Sequence, residues 1–216
     1  LPSVTITTPA NNSYSSVNTV EVNFTIVDGP NGTYMVELIL AGTYLGNNSY
    51  SNGTLQTLVA NDTVPDGAYT WYLNVSNNTD VNSTGLYTVT IDTTNPVLAY
   101  GDTTSSDNKI STAGEIIFNA SVTETNPVNI TFILRNSTGV YNTTFRGFSN
   151  ILSNNTINWT GLPDGVYTYN ATVRDQVNKF VESGSRTYTV DSTVPVPIYG
   201  AAATADNGNA TVITVA

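Results

Sequence analysis

Residues 65–75 read PDGAYTWYLNV and residues 163–173 read PDGVYTYNATV, so the chain carries one phrase twice. The phrase that closes each copy also returns, as TVTIDTTNPV at residues 88–97 and as YTVDSTVPV at residues 188–196. The copies are roughly a hundred residues apart, and a repeat of that size encloses its own hydrophobic core. The sequence therefore predicts two tandem domains rather than the small units of a solenoid.

The repeat also sets the predicted boundaries, with domain 1 at residues 1–94, domain 2 at 95–193 and a tail at 194–216. The tail opens a third copy. The dipeptides that return are Pro96-Val97, Tyr100-Gly101 and Asp107-Asn108, which reappear as Pro195-Val196, Tyr199-Gly200 and Asp206-Asn207. A tail of this length is too short to enclose a core.

The end of the tail is the predicted assembly site. Val212, Ile213 and Val215 form a strand of high β propensity that is apolar on both faces. Such a strand, left alone, exposes unpaired backbone and invites aggregation. Two completions remain open. Either the rest of a third domain follows in a longer protein, or the strand enters a neighbouring subunit by donor-strand complementation and builds an open filament.

Apolar and polar residues alternate along most of the chain, which is typical of half-buried β-strands. The predicted strands of domain 1 are residues 4–7, 20–27, 34–40, 55–60, 68–76 and 86–91, and those of domain 2 are 97–100, 116–122, 128–134, 139–145, 156–159, 166–173 and 186–190. No segment has the spacing of an amphipathic helix. The predicted fold is all-β, with two tandem antiparallel sandwiches.

The repeated phrase begins with an Asp-Gly turn that is followed by tyrosine. Tyr69 and Tyr167 stand where a tyrosine corner is expected, in which the hydroxyl bonds to backbone just upstream. Trp71 and Tyr169 come two residues later, where antibody domains place a cysteine, and we expect these large rings to fill the core instead. A surface for stacking sugars is the functional alternative for these four aromatic residues.

Four phrases carry a family resemblance. They are DGAYTWYLNV, DGVYTYNATVRD and the two closing phrases, each with an Asp-(Thr/Ser)-Thr-x-Pro link to the next repeat. With these phrases the chain resembles the immunoglobulin-like repeats found in tandem on bacterial and archaeal surface proteins. The resemblance implies an immunoglobulin-like fold for both domains and a place outside the cell. It does not fix an activity, because such modules serve as stalks, adhesins, lattice components and filament subunits.

Composition excludes most classes of enzyme and several kinds of partner. The chain has no Cys and no His, so the thiolate and imidazole of common zinc sites, cysteine nucleophiles and Ser-His-Asp triads are missing. The net charge is -10, and residues 1–94 contain no Lys or Arg, which argues against nucleic acid and anionic lipid. No run reaches about 18 consecutive apolar residues, so no membrane span is expected. We predict a protein that is not an enzyme and has no catalytic residue, metal or cofactor.

Acceptors for N-glycosylation are dense. The Asn-x-Ser/Thr sequons lie at Asn11, Asn23, Asn31, Asn47, Asn52, Asn61, Asn74, Asn77, Asn82, Asn119, Asn129, Asn136, Asn142, Asn154, Asn158, Asn170 and Asn209. A chain rich in Asn, Ser and Thr forms sequons by chance, but only 10% of the residues are charged and attached glycans would keep the surface soluble. We predict heavy glycosylation, with the loop residues Asn31, Asn52 and Asn82 favoured over inward-facing ones. On repeats of this resemblance, N-glycans imply an archaeal rather than a bacterial source.

The junctions between repeats are rich in carboxylates. Asp92 and Asp191 end the two repeats, and Asp102, Asp107 and Asp206 lie just beyond them. These side chains are either calcium ligands that stiffen the linkers or ordinary turn residues, and the sequence leaves both possibilities open.

The sequence therefore predicts an extracellular, N-glycosylated structural protein whose partners are copies of itself in a cell-surface filament or layer. The alternative is an adhesin module that binds carbohydrate or protein through its loops. Tyr14, Tyr44 and Tyr50 would then supply the exposed rings.

Overall fold

The computed structural model describes residues 1–27, 32–148 and 155–196, and within them the regular structure consists of β-strands alone. The first nine strands are β1 (Ser3–Thr8), β2 (Ser13–Ser15), β3 (Glu21–Val27), β4 (Thr33–Leu40), β5 (Thr43–Ser51), β6 (Leu55–Val59), β7 (Gly67–Ser76), β8 (Val81–Ser83) and β9 (Tyr87–Ile91). The next nine are β10 (Val97–Tyr100), β11 (Lys109–Ser111), β12 (Glu115–Thr123), β13 (Pro127–Asn136), β14 (Gly139–Gly147), β15 (Thr156–Thr160), β16 (Gly165–Asp175), β17 (Phe180–Glu182) and β18 (Arg186–Val190). The predicted assembly residues Val212, Ile213 and Val215 lie outside the described residues. No helix in the described part of the chain has the length and apolar character needed to cross a membrane.

The strand order is the same in the two halves. In the first half, one sheet has the order β1-β3-β6 and the other the order β2-β9-β7-β4-β5, with β8 also paired to β7. In the second half the orders are β10-β12-β15 and β11-β18-β16-β13-β14, with β17 paired to β16. All pairings are antiparallel except two short parallel ones, β2 with β9 and β11 with β18. This order is that of an immunoglobulin-like sandwich, and the predicted fold class of two such sandwiches in tandem is confirmed.

Each sandwich has a core of its own, because alternate residues of its strands point inward. In β3 the inward residues Val22, Phe24 and Ile26 are fully buried and alternate with the more exposed polar residues Glu21, Asn23 and Thr25. The first core draws on residues 20–91 and the second on residues 116–190, and no buried residue belongs to both. The domain boundaries that the repeat suggests remain predictions.

Candidate functional site at the ends of the sandwiches

The Asp-Gly-x-Tyr phrase fixes the corner at which each sandwich meets the following linker. Tyr69 donates its hydroxyl hydrogen to the carbonyl of Pro65 at 3.0 Å, and Tyr167 donates to the carbonyl of Pro163 at 2.9 Å. Both hydroxyls reach back four residues, so each ring ties the turn before β7 or β16 to the body of the sheet. Tyr167 is buried, whereas Tyr69 is half-buried.

Trp71 occupies the centre of the first core. Its side chain is fully buried and stacks on Tyr87, with ring centroids 4.9 Å apart and an angle of 29° between the planes. The indole Nε1 has no hydrogen-bond partner among the described residues. Trp71 therefore acts by filling space rather than by a polar contact.

Tyr169 takes the equivalent place in the second core, but it adds a polar link. Its hydroxyl donates to the carbonyl of Ser105, and the same carbonyl accepts a hydrogen bond from Arg186 at 3.0 Å. Arg186 pairs with Tyr169 across the strands and lies 3.7 Å from the ring centroid of Tyr100. Burial raises the pKa of Tyr169 to about 12, although the bond from Arg186 opposes the shift. The second core is thus tied to the loop that joins β10 to β11.

The aspartate of each repeated phrase holds the linker. Asp66 accepts hydrogen bonds at Oδ1 from the backbone N–H of Thr93 at 2.9 Å and from its hydroxyl at 2.7 Å. Asp164 accepts at Oδ1 from the N–H of Ser192 at 2.8 Å and from its hydroxyl at 2.5 Å, and at Oδ2 from the hydroxyl of Thr193 at 2.6 Å. We call each arrangement a linker clamp. Both sandwiches carry one, in the same place relative to their last strand.

These hydrogen bonds stabilise the charged form of both aspartates. The bonds from the Ser192 and Thr193 hydroxyls, with that from the Ser192 N–H, lower the pKa of Asp164 from 3.8 to about 2. The hydroxyl and N–H of Thr93 likewise lower the pKa of Asp66, and Lys179 of the second sandwich adds a small contribution. Because the pKa of Asp164 is depressed in the folded state, its clamp stabilises the fold in full above the ordinary pKa of 3.8, and this stabilisation is lost as the pH falls through about 2.

We expect the clamp on Ser192 to remain at pH 3, where an ordinary aspartate is mostly protonated. An NMR titration that follows the Ser192 amide proton should show its main change near pH 2. In Asp164→Asn the amide oxygen still accepts the bond but the group no longer titrates, so this transition should disappear. A midpoint near pH 4 in the unchanged protein would contradict the clamp.

A hydrogen bond joins the two sandwiches. Asp92, at the end of β9, is only 2% exposed, and its Oδ2 accepts a bond from Nδ2 of Asn126 at 3.0 Å. Asn126 belongs to the second sandwich, in the loop between β12 and β13. The hydroxyl of Thr94 donates to Oδ1 of the same carboxylate at 3.2 Å. Asp92 is therefore a junction residue shared by the two units.

Three of the carboxylates that the sequence offered as calcium ligands, Asp92, Asp107 and Asp191, make hydrogen bonds in turns and linkers. Asp107 accepts from the N–H of Thr187 at 2.7 Å, and Asp191 accepts from the N–H of Thr193 at 3.2 Å. In residues 1–27, 32–148 and 155–196, no three Asp or Glu side chains come together as a metal site would require. Asp206 lies outside these ranges.

The predicted glycan acceptors differ in exposure. Of those described, the exposed ones are Asn11, Asn47, Asn61, Asn142 and Asn158, and the half-buried ones are Asn23, Asn52, Asn74, Asn77, Asn82, Asn119, Asn129 and Asn136. Asn170 is only 6% exposed. Asn31, Asn154 and Asn209 lie outside the described residues.

Hydrogen bonding divides the acceptors further, because a glycan replaces one hydrogen of Nδ2. Asn82 was expected in a loop, but it lies in β8 and its Nδ2 donates to the carbonyl of Pro2 at 2.9 Å. In contrast, Asn77, Asn136 and Asn142 each accept at Oδ1 from the hydroxyl of the Thr two residues later. These bonds hold the side chain by its oxygen and leave the nitrogen to carry a sugar.

Comparison with known proteins found no matching family model and no matching curated protein. Solved structures do match. The fibronectin(III)-like modules of Clostridium thermocellum CbhA are 12% identical with a TM-score of 0.45, covering 87% of this chain and 94% of theirs. A bacterial ice-binding adhesin is 13% identical with a TM-score of 0.45, covering 91% and 67%. The FN1–FN3 domains of chicken CNTN1 are 13% identical with a TM-score of 0.41, covering 84% and 68%. The assignment of the fold rests on the strand order given above.

Neither the linker clamps nor the role of Asn126 is predicted by the sequence pattern. A signal for the clamps was present, because the Asp of the first phrase and the Asp-(Thr/Ser)-Thr link recur together in both copies. Asn126 has no equally clear counterpart in the first copy, so the repeat gave no sign of its contact with Asp92.

Proposed function

We propose that this chain is an extracellular structural protein in which N-glycosylated immunoglobulin-like sandwiches are joined end to end within a cell-surface filament or layer. The observation that carries the proposal is the pair of linker clamps. Asp66 and Asp164 use equivalent hydrogen bonds to fix the direction in which the chain leaves each sandwich. A chain whose role is to set the spacing and orientation of successive domains needs such fixed exits.

The placement of the sequons supports a permanently exposed surface. Asn47 lies on β5 and Asn142 on β14, and both residues are exposed. These two strands are edge strands of the two larger sheets. Edge strands offer unpaired backbone groups to other chains, and proteins usually protect them with charged side chains. A bulky glycan at Asn47 or Asn142 gives the same protection to a chain that has few charges.

We expect native protein to carry glycans on Asn77, Asn136 and Asn142 and none on Asn170. The side chain of Asn170 is only 6% exposed and Arg135 holds its Oδ1 at 2.8 Å, so the buried Nδ2 has no open space for an attached sugar. Mass spectrometry of glycopeptides measures each site. As a matched pair, Asn142→Gln should remove the mass of one glycan and Asn170→Gln should remove none. A glycan on Asn170, or the absence of glycans from Asn77, Asn136 and Asn142, would contradict this prediction.

Copies of the chain are the proposed partners, and the apolar residues Val212, Ile213 and Val215 are the proposed contact. Electron micrographs of native material should show a filament or a layer. Deletion of residues 209–216 should leave two folded sandwiches and abolish the polymer. Serine at the three apolar positions, which keeps the length of the chain, should have the same effect. Polymers that persist in both variants would rule out assembly through the tail.

A binding module is the second candidate, because Tyr14 and Tyr44 are 43% and 50% exposed. Tyr50, the third ring that the sequence predicts to be exposed, is half-buried. It donates its hydroxyl hydrogen to the carbonyl of Thr57 at 2.7 Å and packs edge-on against Phe24. It belongs to the first core and not to a loop surface. Retention of the protein on a glycan array, with loss of retention in Tyr14→Ala and Tyr44→Ala, would favour an adhesin over the structural role.

A further inference from the structure

The second sandwich packs against one end of the first, where Asp92 and Pro96 are buried while Tyr14 stays 43% exposed. At this end Tyr14 and Ala68 lie on either side of Thr90, and the three residues line a cavity of about 360 Å³ whose other wall belongs to the second sandwich. Asp92, which follows β9, and Pro96, which precedes β10, are both buried at this junction. The junction therefore combines three cross-strand neighbours on the sheet (Tyr14, Thr90 and Ala68), a buried carboxylate and a buried proline.

The second sandwich has the same register at the corresponding end, beyond which the residues from 197 onward lie outside the described part of the chain. Ile110 and Val166 lie on either side of Thr189, in the same register as the row just described, and they are 71% and 54% exposed. Asp191 and Pro195, which correspond to the buried Asp and Pro of the first junction, are both exposed. We call this set of residues the far end of the second sandwich.

We propose that the far end is a docking surface for one more immunoglobulin-like sandwich, the one that follows Pro195 in the same chain. This inference rests on the proposed structural function and takes the first of the two completions of the tail, in which the rest of a third domain follows in a longer protein. The Thr, the Asp and the Pro of the first junction recur at the far end, and Ile110 and Val166 stand in the register positions of Tyr14 and Ala68. The clamp of Asp164 on Ser192 and Thr193 directs the chain away from the sheet as Asp66 does at the first junction.

The sequence beyond the far end supports this occupant over a separate molecule. Residues 195–207 repeat the pattern of residues 96–108, which form the first strand of the second sandwich and the loop after it. The incoming sandwich would bury Asp191 and Pro195, as the second sandwich buries Asp92 and Pro96. It would stand beside Ile110 and Val166, as the second sandwich stands beside Tyr14 and Ala68 across the cavity of the first junction.

The test is a chain with three complete sandwiches, made by joining Leu98 after Val196 and continuing through a second copy of residues 98–196. The join keeps the natural register, because Pro195-Val196 corresponds to Pro96-Val97. A non-specific protease then cuts the linkers at residues 92–97 and 191–196, and the two rates are compared in one molecule. Docking should make the rates equal to within about threefold, since cleavage follows the population of the opened junction.

In this chain, Ile110→Lys with Val166→Lys should speed cleavage of the second linker about tenfold and leave the first unchanged. Phe145→Lys is the matched control, because Phe145 is 65% exposed on β14 and lies away from the far end. It should change neither rate.

Rapid cleavage of the second linker in the unchanged chain, or no effect of the double variant, would overturn the proposal. Dimers of the 216-residue chain that are lost in Ile110→Lys would also overturn it, in favour of a second molecule on this surface. None of these results decides whether native material forms a filament or a layer, which the micrographs test independently.

Discussion

Replacement of Trp71 by alanine is expected to lower the free energy of unfolding of the first sandwich by about 3–5 kcal/mol. Trp71 is fully buried and stacks on Tyr87, so alanine would leave a large cavity in the centre of the core. Because its indole N–H has no partner, the loss comes from packing alone. Trp71→Phe keeps most of the ring and removes the unpaired donor, so it should cost only about 1–2 kcal/mol.

The chain provides its own internal control, since it has two tryptophans and the second, Trp159, lies in the other core. In Trp71→Ala, the fluorescence of Trp159 reports the second sandwich alone, while calorimetry reports both. Trp159→Phe is a matched comparison, because this indole does donate a hydrogen bond, to Oδ1 of Asn142 at 3.1 Å. A loss below about 1 kcal/mol in Trp71→Ala, or an equal loss in both sandwiches, would show that Trp71 does not organise the first core.

Replacement of Asn126 by alanine should cost about 1–3 kcal/mol, because it leaves the buried carboxylate of Asp92 without its amide donor. The cost falls on the contact between the two sandwiches. We therefore expect their unfolding transitions to separate and the linker at residues 92–97 to be cut faster by proteases. The hydroxyl of Thr94 still bonds to Oδ1 of Asp92, so the carboxylate keeps one partner.

A double-mutant cycle isolates this contact. Asp92→Ala combined with Asn126→Ala should cost less than the sum of the two single changes, because the second change removes a group whose partner has already gone. Asn95→Ala is the control, since Asn95 is an exposed amide in the same linker. Additive effects of Asp92→Ala and Asn126→Ala would mean that the two side chains do not stabilise the junction as a pair.

The sequence predicted the central strands of the sheets and the fold class but not the edge strand β5. Residues 43–51 read TYLGNNSYS and lack a regular alternation, because the strand is largely exposed and its outward side chains are polar. The tight turn before it was also hidden. Ala41 and Gly42 both adopt positive φ, 49° and 79°, as a two-residue hairpin turn requires, but alanine at such a position is not a recognisable turn signal.

Four further strands were missed because they have only three residues each, namely β2, β8, β11 and β17. A strand of that length shows no periodicity, and it exists only because a longer strand lies beside it. The linker clamps have the same origin. Asp66 lies 27 residues before Thr93, and only the fold of the complete sandwich brings the two together.

The parallel pairing of β2 with β9 has a mechanical consequence. These strands lie close to the points where the chain enters and leaves the first sandwich, and they are joined in register from Ser13 with Val89 to Ser15 with Ile91. A pulling force on the two termini acts along both strands and across the evenly spaced, slanted hydrogen bonds of the parallel pair. Those bonds then bear the load together in shear instead of opening one after another. We therefore expect this small patch, and its counterpart between β11 and β18, to make each sandwich resist stretching.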